Sequence, residues 1–221
     1  MSENEDILNE IDKWDKLLKS NNDFLEIAFF KIFVKFENFI VEMILQYASG
    51  EASSENYLPI RRLDFDDPEH LKNTIDTKYL DVSDKTKSLV DQIFDNNNPF
   101  SFFFDCQEAT FFDSLRSVRN YIAHESRESK EKYRKKALFN KAHIEPNAYL
   151  SKRYKAEDIT SNYTKFIELV KSYSELIIDM SSYEGKKSND GAENRKGKVN
   201  NSINRKRKRY YSHIRKKDFS Q

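Results

Sequence analysis

Cysteine is nearly missing from the 221-residue chain, where Cys106 stands alone. One thiol closes no internal disulfide, which points to a reducing, cytoplasmic setting. It is also a poor start for a zinc site, and the sequence implies neither a metal nor a cofactor. Set beside Phe102, Phe103 and Phe104, the thiol reads as a buried group rather than a nucleophile. Glycine and proline are scarce, at four residues each. That is too little punctuation for a many-stranded β fold, so long helices are favoured. A secretory leader is not apparent, because MSENEDILNE is acidic and lacks an apolar segment. The longest apolar run, FLEIAFFKIFVKFENFIVEMILQYA, could span a bilayer by length alone. Glu26, Lys31, Lys35, Glu37 and Glu42 interrupt it, and each is costly in hydrocarbon. It reads as the central helix of a soluble bundle, and no membrane partner is expected.

What is present is charge mixed with aromatics: 34% of residues are charged, and there are 17 Phe and 12 Tyr. That composition describes a globular protein. The net charge of +1 conceals a division, since residues 183–221 hold 13 Lys and Arg against 4 Asp and Glu, a net of +9. The other 182 residues therefore sum to −8. The expected organisation is one domain over residues 1–182 and a basic tail over 183–221. The tail is polar and poor in apolar residues, so it buries too little surface to offset chain entropy and is expected to be disordered. Within it Arg205, Lys206, Arg207, Lys208 and Arg209 supply cations for phosphates. Tyr210 and Tyr211 supply rings that can stack on bases. A solubilising tail, or a nuclear localisation signal in a eukaryotic host, accounts for the same residues.

Apolar spacing predicts an all-α bundle of about five or six helices. A short amphipathic helix is expected over residues 5–20, and the long apolar helix over about Asp23–Ala48. SGEASSENYLP is a loop. Asp67-Pro68 starts a short helix through Ile75, and Ser83 starts another that carries Leu89, Val90, Ile93 and Phe94 before DNNNP ends it. The helical pattern resumes near Cys106. A charged stretch around SKEKYRKK and a loop near EPNAY precede a last helix over 156–182. Its stripe is Ile159, Tyr163, Phe166, Ile167, Val170, Tyr173, Ile177 and Met180.

One stretch raises a chemical question: RNYIAH, Arg119 to His124, inside FFDSLRSVRNYIAHES. At about 100° per residue, Phe111, Leu115, Val118 and Ile122 stay within about 40° of one direction. Measured from Phe111, Arg119 lies near about 80°, Arg116 about 140°, Asn120 about 180° and His124 about 220°, with the small Ala123 at about 120° among them. Arginine offers a planar fork of donors for phosphate oxygens, and histidine exchanges a proton near neutral pH. RNA carries its own nucleophile in the 2′-hydroxyl. Cleavage then needs a base, an acid and a cation for the transition state. An ordinary solvated helix face accounts for the same spacing, and the tail repeats the pattern between Arg207 and His213. On the helical-wheel placement Arg119 and His124 both point away from the core, so replacing either should cost little stability.

RNYIAHES on a late helix resembles the Arg-X4–6-His signature of the HEPN superfamily (higher eukaryote and prokaryote nucleotide-binding domains), in which a polar residue, often Asn, follows the arginine. FFKIFVKFENFIVEMI resembles that family's long early helix, where a Phe-Glu pair such as Phe36-Glu37 recurs. The likeness covers roughly residues 20–182. It implies a metal-independent endoribonuclease that dimerises to form one composite cleft, acting as a toxin or anti-phage defence effector with a neutralising or sensor protein. Arg119 and His124 become the catalytic pair with Asn120 orienting them, while Glu37 and Arg116 support, Glu37 by holding Arg119. Relatives silenced by modification often have a tyrosine two residues after the histidine. Ser126 stands there in this chain. Some relatives only bind, so a catalytically inactive RNA- or protein-binding module is the alternative.

Overall fold

The computed structural model describes residues 2–65, 84–155 and 159–180. Among these residues the regular elements are helices, apart from two isolated β-bridges. In chain order they are α1 Glu5–Leu18, a 3-10 turn Asn22–Phe24, α2 Leu25–Ala48, α3 Asp84–Ile93 and α4 Pro99–Phe104. There follow α5 Ala109–His124, α6 Arg127–Lys136, α7 Pro146–Ser151 and α8 Asn162–Ile178. The protein is all-α. None of the described helices is long and apolar enough to cross a membrane.

The central helix is α2, with thirteen of its twenty-four residues buried. Only a narrow seam of Ile27, Lys31, Asn38 and Glu42 is fully exposed, which is the helical periodicity of a nearly enclosed element. Its phenylalanines make the core. Phe29 and Phe33 pack on Phe166 of α8 with ring centroids 5.0 and 5.6 Å apart. Phe36 meets Phe103 of α4 and Phe112 of α5 at 5.8 and 5.9 Å. Such offset and edge-on ring pairs add attraction beyond the area they bury. At its far end the Tyr47 hydroxyl donates to the Ile177 carbonyl at 2.6 Å, so α2 is tied to the last turn of α8. Gly50 ends α2 with φ of +90°, and a Cβ there would meet the Arg61 guanidinium at about 3.0 Å. The guanidinium is the tip of a flexible side chain, so it is the left-handed φ that calls for glycine here.

Several elements depart from the expectation. SKEKYRKK belongs to a helix, α6, because Ser126 caps its start and Tyr133 anchors its inner face at 0% exposure. Asn98 likewise accepts from the Ser101 N–H and places Pro99 in the first turn of α4. Pro146 opens α7 in the stretch expected as a loop. The last helix is shorter than expected, since Ser161 caps it by accepting from the Thr164 N–H at 3.0 Å. Ile159 precedes that cap and is 92% exposed, so it is not part of the stripe. The helix expected at Asp67–Ile75, the start at Ser83 and the tail 183–221 lie outside the described residues.

Candidate functional site

The RNYIAH stretch occupies the C-terminal half of α5, which forms an antiparallel hairpin with α6. Ser114 Oγ reaches the Lys136 carbonyl at 2.9 Å, and the rings of Tyr121 and Tyr133 stack at 5.3 Å. The corner is made by Glu125, whose φ of 45° is left-handed and whose N–H donates to the Tyr121 carbonyl at 2.9 Å. Ser126 then caps α6, accepting from the Ser129 N–H at 3.1 Å. His124 is exposed at this corner. Its side chain makes no hydrogen bond among the described residues.

Arg119 is not on the outer face. The buried residues of α5 are Phe112, Ser114, Leu115, Ser117 and Val118, while Phe111 and Ile122 are only half-buried. The core direction is therefore broader than the Phe111 stripe, and Arg119 falls between Phe112 and Leu115 on the wheel. Its side chain is 17% exposed and pairs with Glu37 of α2, itself 9% exposed, through Nη2 and Oε2. The guanidinium carbon lies 5.6 Å from the centre of the Phe33 ring, a cation–π contact. Arg119 Nε is buried without a hydrogen-bond acceptor. The expectation that Arg119 is dispensable to stability is therefore overturned. Its charge is locked against the central helix, and losing one partner deprives the other of an opposite charge in a poorly solvated place.

The remaining contact of Arg119 is with its neighbour. Nη1 donates to Asn120 Oδ1 at 2.5 Å, which uses the acceptor end of that amide. The Asn120 Nδ2 donors have no partner among the described residues, and the side chain is half-buried. Asn120 and His124 are four residues apart, so they are surface neighbours about 5–6 Å apart at Cβ. Arg116 is 19% exposed in its side chain and turns toward Asp113 at 2.8 Å, which also takes Lys136 at 2.8 Å. The structure thus joins Glu37, Arg119 and Asn120 by hydrogen bonds and places His124, which shares none of them, one turn beyond Asn120 on the surface. Arg205 to Tyr211 lie outside the described residues.

The sequence reading passed over His143. Its ring stands edge-on to both Tyr121 and Tyr133 with centroids 6.0 Å away, and Nε2 is 3.3 Å from Glu145 Oε1. A lone histidine in KAHIEP gives no periodic signal, since its neighbours come from another hairpin arm. A cleft of about 430 Å³ was also unforeseen. It opens beside the first turns of α5, and none of Arg119, Asn120 and His124 lines it. Cys106 is half-buried, and burial raises its thiol pKa above the ordinary value against opposing hydrogen bonds, the largest from Tyr173. A thiol so held is a weak nucleophile at neutral pH. No protein-family model, curated protein or solved structure matches the chain.

Proposed function

We propose that the chain is a metal-independent endoribonuclease that works as a homodimer. The observation that carries the reading is the outer end of α5, where exposed His124 stands one turn from an asparagine amide with its acceptor already engaged by Arg119. The amide N–H₂ is then the donor offered to a phosphate oxygen. Arg119, held by Glu37, acts as a positioning residue and adds its charge behind the amide. This changes its expected role from direct transition-state contact. The likeness to HEPN ribonucleases supports the same assignment for Arg119, Asn120 and His124.

The chemistry is a transesterification. His124 takes the proton of the ribose 2′-hydroxyl, the 2′-oxygen bonds to phosphorus, and the P–O5′ bond breaks. The 5′-oxygen leaves with a proton from the second copy's His124. A twofold axis puts the same patch on both subunits, and a contact through exposed Ala123 brings two such histidines to one groove. Products are a 2′,3′-cyclic phosphate and a 5′-hydroxyl. Toxin or defence roles, and a neutralising or sensor protein, follow from the family likeness.

A second reading is a helical module that binds RNA or protein without cutting. The Arg119–Glu37 pair favours it, because a guanidinium engaged by a buried carboxylate has less to offer a phosphate. Purified wild type and His124→Ala, both checked for native circular dichroism, should be given labelled RNA with EDTA. The catalytic reading requires cleavage by wild type, a rate roughly 10²-fold lower in the variant, and no cleavage of an all-deoxy substrate. Cleavage undiminished in His124→Ala refutes it.

A further inference from the structure

The cleft beside α5 has a chemistry of its own. Among the described residues its lining includes Lys141, Lys152 and Arg153 and no carboxylate. None of these three cations forms an ion pair among the described residues. Beside them the Phe111 ring packs edge-on against Tyr154, with centroids 4.6 Å apart. Lys155 and Lys165 lie 4.9 and 5.8 Å from the centre of the Tyr154 ring, Lys165 also 3.5 Å from Glu168. One wall is thus aromatic, and the mouth is positive on a chain body whose formal charge is negative. A field of that sign favours anionic ligands.

Phe139 sharpens the picture. It lines the same cleft yet is 65% exposed. It and Asn140 both have positive φ, at 50° and 61°. That backbone is disfavoured for a bulky residue and persists where the surroundings impose it, often at ligand clamps. The bend holds a large apolar ring out in water beside Lys141, Lys152 and Arg153. The volume of about 430 Å³ falls within the range of small-ligand sites, about 300–1,000 Å³.

We propose that this cleft binds one nucleotide unit, its base stacked on Phe139 and its phosphate held by Lys152 and Arg153, with Lys141 adding charge. A flat ring joined to a multiply charged anion matches an aromatic surface beside several cations, whereas a simple anion leaves the rings unused. The unit comes either from a free nucleotide or from a single-stranded RNA. The assignment does not depend on the ribonuclease reading, because the cleft and the α5 motif share no residue.

The test uses the full chain in calorimetric titrations with AMP, adenosine and inorganic phosphate, followed by competition with a short oligoadenylate. AMP should bind, with adenosine and phosphate each at least tenfold weaker. Phe139→Ala should weaken AMP about fivefold or more, the scale of one base–aromatic stack. Lys152→Ala with Arg153→Ala should weaken it further and flatten its salt dependence. All three side chains are exposed, so thermal unfolding should be unchanged and reports any folding defect separately. Displacement of AMP by the oligoadenylate identifies the site as an RNA contact, and its absence identifies a free-nucleotide site. Phosphate binding as tightly as AMP, or AMP affinity untouched by the substitutions, overturns the proposal. His124→Ala should leave AMP binding intact, so failure here is distinct from failure of the catalytic reading.

Discussion

Replacing Arg119 by alanine removes a guanidinium that is 17% exposed and leaves the Glu37 carboxylate, 9% exposed, without its cationic partner. The Coulomb attraction of the intact pair is not what the substitution measures. The dominant cost is a charge that has lost an ionic partner in a place that water reaches poorly, and removing one partner of such a pair costs roughly 3–5 kcal/mol. In a chain of this length each kcal/mol shifts Tm by about 2–4 °C, so Arg119→Ala should melt roughly 6–20 °C below wild type. Loss of the Phe33 contact acts in the same direction. Glu37→Ala should do similar damage. Glu37→Leu combined with Arg119→Met fills the volume with apolar groups and should recover most of the loss, since such swaps are often neutral or stabilising. Thermal unfolding by circular dichroism at two salt concentrations reads all four corners of the cycle. A Tm for Arg119→Ala equal to wild type, or a double variant worse than either single one, refutes the buried-pair reasoning. A consequence for enzymology follows: lost cleavage in Arg119→Ala alone does not assign chemistry to that residue.

His124→Ala should leave Tm unchanged, because the side chain is exposed and unbonded, while Asn120→Ala should lower RNA cleavage and also cost about 1–3 kcal/mol of stability, because it takes away the acceptor of Arg119 Nη1. Glu3 is buried enough to raise its pKa, but hydrogen bonds from Ser54 and Gln46 outweigh burial and hold it below the ordinary value. A depressed carboxylate contributes stability above its unfolded pKa that is lost as pH falls through the folded one. The Tm gap between wild type and Glu3→Gln should therefore be open at pH 7 and close below about pH 4, as followed by melts across pH. Light scattering at tens of micromolar should report a dimer of the body, and a monomer alone counts against the composite cleft. Truncation at Glu184 should weaken RNA binding and reduce its salt slope, the slope being set by the number of phosphates neutralised.

The helices that are long and periodic were legible. α2 and the α8 stripe from Tyr163 to Ile177 show their buried faces in the sequence because every third or fourth residue is a large apolar one. The short elements were not, for a reason common to all of them. α4, α6 and α7 are defined by one capping side chain or one proline and by two or three buried residues. RESKEKYRKK has a single apolar anchor, Tyr133, and no window average shows it. What makes it a helix is Ser126 at one end and the α5 surface along its side.

The orientation of Arg119 was lost in the same way. Taking the Phe111 stripe as the whole core draws the buried arc too narrowly, because Phe112, about 100° further round the wheel, is the deeper ring at 3% exposure. Two adjacent phenylalanines cannot be ranked by spacing. Serines completed the error: Ser114 and Ser117 are buried at 4% and 3%, since their hydroxyls bond helix carbonyls, and a polar letter hides a core position. Glu37 supplied the correcting signal. A carboxylate between Phe36 and Phe39 in an enclosed helix needs a cation from another element, and Arg119 is a cation that meets it. A buried acid in an apolar helix is thus a better guide to which arginine faces inward than the arginine's own helical spacing.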